Sequence, residues 1–403
     1  MRLLVVSTWL PYPLDNGSRV RAYHLLKRLS QRHTITLLSF GSVRDAEALA
    51  PLKALCERLE VVLPTPLQNN RLGKRGLFST VPRHYVQTDS EEMRRLVARS
   101  VETHDAAIGM QVDAARYLGG HPEIPRVFEE AEVGVLRDRF VREADLLRRL
   151  RHGLTWWKFR RFVRGLVNRF DRTTVVSAVE RDHLRAVGCD ASRVAIVPNG
   201  TVLPEAATMR RRHDNRLIYP GAVAYFANLD AVRYFVRDVL PLVRGQRPDV
   251  SFLVTGSTEG ADIGDLACVP GVTFAGCLPD IDEAISESAV CVVPLRMGGG
   301  TRLKVLQAMA LGTAVVSTSK GIEGLDLEPG RHVLVADSPS AFAAQVLRLL
   351  GDDNLRDQLV EASAALVRDR YTWDRIGEVF EGVLTEAVEE HAARRSAWSA
   401  TAL

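Results

Sequence analysis

The chain has 403 residues, of which 46% are hydrophobic and 25% charged. That sets it apart from disordered sequences and suffices for two or three domains, each with its own core. A net charge of only +4, from 53 basic and 49 acidic side chains, and the lack of a nucleic-acid recognition module argue against nucleic acid as a partner. The five cysteines, Cys56, Cys189, Cys268, Cys277 and Cys291, are scattered and form no C-x-x-C pair. Neither a disulfide framework nor a zinc site is expected, and a reducing cytoplasm fits.

The opening MRLLVVSTWLPYP carries one positive charge and a short apolar run. It predicts a buried first strand, not a signal peptide, and no later segment is apolar for long enough to span a membrane. The strand (2–8) is followed by a turn-rich loop, 11–18, and a helix, 19–32. Further strands are predicted at 34–40, 59–64, 106–110, 125–129, 173–177 and 193–198. Short β-branched runs spaced by helical patterns imply parallel βαβ units. Such sheets bind ligands beyond the carboxyl ends of their strands.

Residues 137–172 hold twelve Arg or Lys against four acids, interleaved with Trp156, Trp157, Phe159, Phe162, Leu166 and Phe170. The expected arrangement is a two-helix excursion whose apolar stripe packs inside the first domain while arginines face water. The alternative is a basic amphipathic helix making peripheral contact with the inner face of an anionic membrane.

The non-periodic stretch 204–215 separates the halves. Beyond it the pattern repeats, with strands at 216–221, 251–257, 272–276, 290–295, 313–318 and 332–337. Helices are expected over 229–244, 280–287, 301–310, 339–350 and 353–368, and a last one over 373–390.

The richest stretch is GGGTRLKVLQAMALGTAVVS, 298–317. A backbone without side chains (Gly298, Gly299, Gly300) can approach a diphosphate closely. The helix behind it offers unpaired N–H groups and a partial positive charge, to which Arg302 and Lys304 add theirs. The pattern points to a nucleotide-diphosphate cradle.

This block resembles the donor-binding motif of the family-4 retaining glycosyltransferases of the GT-B fold. The resemblance covers nearly the whole chain and is strongest from 216 to 337. It implies an α/β protein of two Rossmann-like parallel-sheet domains facing across a cleft: an acceptor domain, 1–203, a donor-nucleotide domain, 204–372, and a helix, 373–403, returning to the first. The implied activity is that of a hexosyltransferase using a nucleotide sugar and a hydroxyl-bearing acceptor, cytoplasmic or peripheral to the membrane, with no metal and no cofactor beyond the donor. In the family two glutamates stand eight positions apart in this segment; here those positions hold Gly299 and Gln307. An amide can still bond a ribose diol, though without charge assistance.

On the same resemblance Arg302 and Lys304 would neutralise the leaving diphosphate. Gly299, Gly300, Thr301 and Gln307 would line the donor. Gly17, beside Asn16, matches a glycine that faces diphosphate and acceptor. In YPGAVAYFANLDAVRYF, 219–235, Gly221 and Asn228 stand in a loop where many members carry an arginine and a lysine. Leu278, in AGCLPD, falls in the loop that holds the nucleobase, although Pro279 and Asp280 also fit a plain helix start. The family's PNG turn is present at Asn199-Gly200. A histidine usual after strand 106–110 is missing: Gln111 and Asp113 stand there, with His104 and His121 outside. The acidic FEEAEV offers Glu129 or Glu130 to the cleft. These departures leave open a second reading, a catalytically degenerate GT-B protein that binds a nucleotide or activates a partner, and a third, a GT-B enzyme of other chemistry such as an epimerase.

Overall fold

The computed structural model describes residues 1–42, 46–63, 79–143, 145–204, 213–300 and 302–401. The chain forms two compact units, Met1–Pro198 with Ile376–Leu403, and Asn199–Arg375. The stretch expected to separate the halves, 204–215, lies mostly at 205–212, outside the described residues.

In the first unit, β1 (Arg2–Ser7), β2 (Thr34–Phe40), β3 (Arg58–Val62), β4 (Ala106–Met110), β5 (Arg126–Glu129), β6 (Arg172–Val175) and β7 (Val194–Ile196) form one sheet in the order β3-β2-β1-β4-β5-β6-β7. Every pairing is parallel; Leu3, for instance, lies between Ile35 and Ala106. Helices cover both faces of such a sheet, so its strands are apolar almost throughout. Leu3, Leu4, Val5 and Val6 of β1 are wholly buried. Strand order reverses between β1 and β4, which is the switch point where a doubly wound sheet opens a crevice.

The second unit repeats this plan with β8 (His213–Tyr219), β9 (Ser251–Thr255), β10 (Val272–Gly276), β11 (Ser288–Val293), β12 (Ala314–Ser317) and β13 (Leu334–Val335), in the order β10-β9-β8-β11-β12-β13. Its switch point lies between β8 and β11. Phe235 packs on Phe252, with ring centres 4.6 Å apart, and edge-on against Phe342. These three rings anchor the helices to the sheet.

Two helices differ from expectation. The predicted 229–244 helix is α-helical over Phe226–Tyr234 and Leu240–Arg244, with a π-turn, Phe235–Val239, between them. Pro241 cannot donate to the preceding turn and its ring crowds the carbonyl four residues back; the wider turn relieves both. The last helix runs past 390, over Trp373–Thr401, because EEHAARRSAWSA contains no helix breaker. From Ile376 onward it belongs to the first unit, where Phe380 and Ala387 are buried and Glu386 meets Arg172 at 3.1 Å. Among the described residues no helix is long and apolar enough to cross a membrane.

Candidate functional site

At the second unit's switch point two loops converge. β8 ends at Tyr219 and the chain turns at Gly221, whose φ of +142° disfavours any side chain. A Cβ there would meet Lys304 Nζ at 2.7 Å and Asn228 Nδ2 at 3.2 Å. β11 leads through Leu295 into Gly298, Gly299 and Gly300, then into the helix Leu303–Ala310. The loops approach closely enough that a Cβ on Gly298 would stand 3.3 Å from that of Ala227. Thr301 lies outside the described residues.

Arg302 is buried and donates through Nη2 to the Gly298 carbonyl at 2.8 Å and through Nη1 to that of Gly299. It holds the glycine loop against the helix start. Lys304 Nζ donates to Asn228 Oδ1 at 3.2 Å, and the Tyr219 hydroxyl donates to the same oxygen at 2.6 Å. Asn228 Nδ2 donates in turn to the Ala222 carbonyl at 2.8 Å. The Lys304 ammonium also sits 3.8 Å from the centre of the Tyr219 ring. Burial lowers the Lys304 pKa to about 7, and the Arg302 guanidinium pushes it the same way. No acid stands in the first turn of Leu303–Ala310. An incoming anion would therefore meet helix N–H groups beside Arg302 and Lys304, with no acid from that turn to oppose it.

Farther along that helix, Gln307 Nε2 donates to Asp282 Oδ1 at 2.7 Å. Asp282 belongs to the helix Ile281–Ser286, capped by Asp280 through the Glu283 N–H at 2.8 Å. Half-buried Leu278 precedes that cap. Gly221, Asn228, Arg302, Lys304 and the glycines thus form one cluster, with Gln307 and the Leu278 loop at its flank. Tyr219, which organises Asn228 and Lys304, gave no signal in the sequence beyond ending a strand.

The first unit has its own polar cluster at the carboxyl ends of β4 and β5. Glu129 is buried in an ion pair with Arg21 at 2.6 Å, and Arg21 also donates to the Pro198 carbonyl at 2.8 Å. Glu130 instead accepts from Gln111 Nε2 at 3.0 Å and bonds Ser18. Gln111 (φ +65°) and Glu130 (φ +57°) both occupy the left-handed region, which non-glycine residues rarely adopt and which gathers at functional sites. Burial, then the neighbouring Glu129 charge, raises the Glu130 carboxyl to about 7. Asn16 caps the helix Gly17–Leu29, its Oδ1 accepting from the Arg19 N–H at 3.0 Å; Gly17 is exposed at the first turn. Asp113 meets His84 at 3.0 Å, a histidine from a distant part of the chain. His121 pairs with Glu123 at 2.8 Å, and His104 bonds the Ser100 carbonyl at 2.6 Å.

The basic segment forms the helices Gly134–Arg142 and Leu146–Val167. Phe159, Val163, Leu166 and Val167 are buried, as the packed excursion requires. The leading half differs: Leu146, Leu147, Leu150, Leu154 and Trp157 share one exposed stripe, beside exposed Arg148, Arg149 and Arg151.

Two family models match the chain. The model of glycosyl transferases group 1 covers residues 214–352, and that of glycosyltransferase family 4 covers residues 140–203. An uncharacterized 44.6 kDa protein in the cps region of Klebsiella pneumoniae is 21% identical over 374 residues, 86% of this chain and 90% of that one. A phosphatidyl-myo-inositol mannosyltransferase of Mycobacterium leprae is 27% identical over 238 residues, 55% of this chain and 62% of that one. The crystal structure of Anabaena Alr3699/HepE in complex with UDP superposes with a TM-score of 0.68 at 12% identity, over 96% of this chain and 100% of that one.

Proposed function

Because the chain belongs to the family-4 glycosyltransferases, with the GT-B fold, we propose that it moves a hexose from a nucleoside-diphosphate sugar to a hydroxyl acceptor. The observation that carries this reading is the Lys304–Asn228–Tyr219 arrangement beside the glycine loop, at the switch point of the second sheet. The diphosphate would lie over Gly298–Gly300 and the start of the helix, drawing on Lys304, on the loop N–H groups and on the dipole. Gln307 and the Leu278 loop would face the ribose and base.

The reaction follows the retaining, front-face course. The acceptor oxygen forms its bond to the anomeric carbon while the bond from that carbon to the diphosphate breaks. The leaving phosphate oxygen takes the acceptor proton, so neither a protein nucleophile nor a metal is required. Positive charge at the leaving group lowers the barrier, which is the task assigned to Lys304. On the first unit, Glu130, Gln111 and Ser18 would bond acceptor hydroxyls.

The exposed stripe Leu146–Leu147–Leu150–Leu154–Trp157 among arginines supports peripheral contact with an anionic membrane. Flotation with anionic liposomes tests it. The wild-type chain should float and the Leu147→Glu/Leu150→Glu chain should not; equal behaviour of the two would retire membrane contact.

Thermal unfolding with UDP, GDP, ADP, CDP and dTDP tests the central reading. A ligand at a hundred times its Kd adds about 2.7 kcal/mol of stability. UDP comes first, since the Anabaena neighbour binds it. One nucleotide should raise the Tm clearly. A folded sample that responds to none would favour the degenerate reading, for which the Gln307–Asp282 bond is the specific support.

A further inference from the structure

The first unit holds an open cavity of about 810 Å³ that plays no part in the site above. It lies at the opposite edge of the sheet, the amino ends of β5, β6 and β7, where Arg126, Asp171 and Arg193 stand just at or before the strand starts. The last helix closes it with His391, Arg394, Arg395 and Ala397. Pro122 and Phe170 give it an apolar floor.

Five guanidiniums, those of Arg126, Arg169, Arg193, Arg394 and Arg395, line this cavity against two carboxylates, Glu123 and Asp171. Both acids are engaged already. Asp171 accepts from the Arg126 N–H at 2.6 Å, from Arg394, and faces His391 Nδ1 at 3.4 Å. Glu123 pairs with His121. The acids nearby face mainly elsewhere: Glu386 and Glu390 meet Arg172, with Glu390 also 3.9 Å from Arg394, and Asp190 lies 3.5 Å from Arg193.

The side chains at its inner wall are buried yet keep unused donors. Arg126 is 6% and His391 7% exposed; Arg126 Nε stands 3.9 Å from Asp171 Oδ2 in an ion pair, too far for a hydrogen bond, and neither it nor His391 Nε2 has a hydrogen-bond partner. Buried polar atoms are ordinarily satisfied, so orphans lining a polar cavity point to a missing occupant. Burial depresses the Arg126 pKa, and repulsion from Arg394 and Arg169 adds to the effect, against Asp171 and Glu123. Guanidiniums gathered around a hollow are matched by the oxygens of phosphate, which accept several charge-assisted bonds at once.

We propose that this cavity is a binding site for a phosphate-bearing ligand, distinct from the donor site, that fastens the end of the last helix to the sheet. The phosphate comes either from a soluble metabolite or from a lipid headgroup, and the chemistry is the same for both.

The test uses the full chain at constant ionic strength, with hydrogen exchange read in the presence of sodium pyrophosphate or sodium chloride. Pyrophosphate should slow exchange in 389–397 and around 120–126. The exposed-site variant Arg169→Glu/Arg395→Glu should lose that protection and bind at least tenfold more weakly there, while keeping its melting behaviour and its response to nucleotide. Arg193→Glu serves as a second variant if the first folds poorly. A parallel arm measures binding to phosphatidylcholine vesicles with and without phosphatidic acid, in a Leu147→Glu background that removes the exposed stripe. Phosphatidic-acid-dependent binding that the variant loses, without protection by pyrophosphate, identifies the headgroup as the source. Protection confined to 298–304, protection unchanged in the variants, or no effect of either probe would overturn the site.

Discussion

The ammonium of Lys304 lies 3.8 Å above the centre of the Tyr219 ring, and the two side chains share one acceptor, Asn228 Oδ1. The ring face and the amide oxygen hold the lysine in place while burial keeps it near its titration point. An arriving anion then draws it into the charged form.

The pKa of about 7 gives this arrangement a measurable signature. A diphosphate beside Lys304 favours the charged form and raises its pKa. Nucleotide binding at pH 8 should therefore take up close to one proton, and at pH 6 almost none. Calorimetry in buffers of different ionisation enthalpy measures this number directly. Affinity should fall up to tenfold per pH unit above pH 7, and Lys304→Met should abolish both effects. In the free protein the sign is opposite to a salt bridge: because the folded pKa is depressed, Lys304 makes stability rise with pH from about 7 towards its ordinary range.

Restoring the family's glutamate will not restore its function by itself. Gln307 donates to Asp282, so Gln307→Glu sets two carboxylates against each other at hydrogen-bond distance. We expect the single variant to bind nucleotide no better than wild type and to melt slightly lower. Gln307→Glu/Asp282→Asn should bind severalfold tighter, because the asparagine can donate to the new carboxylate while a ribose diol donates to its other oxygen. Equal affinity of the double variant and the wild type would remove Gln307 from the ribose site.

Arg302 acts on the loop that it spans. Arg302→Ala leaves the Gly298 and Gly299 carbonyls without their charged donor, a bond worth about 1.5–3 kcal/mol. Exchange at Gly298–Gly300 should speed up, and nucleotide affinity should drop roughly tenfold to a hundredfold. Unchanged exchange would show that the loop is held by other contacts.

Glu130 should reveal itself in the pH dependence of stability. Its folded pKa, about 7, lies above the ordinary carboxylate value, so the native state retains a proton that the unfolded chain releases. This residue's contribution then falls as pH rises from about 4.5 to 7 and stays low above it. Glu130→Gln cannot ionise and should melt higher than wild type at pH 8, by roughly 2–4 °C per kcal/mol released, and equally with it at pH 4. A lower melting point at pH 8 would mean that the ionised carboxylate is stabilising.

Much of this was legible in the residues because the signals are local. Continuous apolar runs such as VCVVPL and RLLVVS announce strands covered on both faces, and both parallel sheets followed from them. GGGTRLK showed a loop entering a helix. The helices Glu91–Val101 and Gln111–Leu118 were missed, the latter because it starts directly at the end of β4 without a capping signal. The positive φ of Gln111 and Glu130 was equally hidden, since neither residue type favours that backbone and only the packed surroundings impose it. Asp282 and His84 meet their partners, and Tyr219 its lysine, across sequence distances that no spacing rule reaches.

Near Asn199-Gly200 the chain enters the second unit, and it leaves at the start of the last helix. The Thr201 N–H donates to the Tyr371 carbonyl at 2.7 Å, Thr201 pairs with Thr372, and a Cβ on Gly200 would touch the Trp373 ring. The second unit is thus a closed insertion whose two ends meet. A gene fragment for 199–375 should yield a self-contained nucleotide-binding module, and residue 201 could be spliced to residue 371 with only a short bridge. New termini could be opened at exposed loop tips away from the glycine loop, which would make the second unit exchangeable among relatives as a cassette.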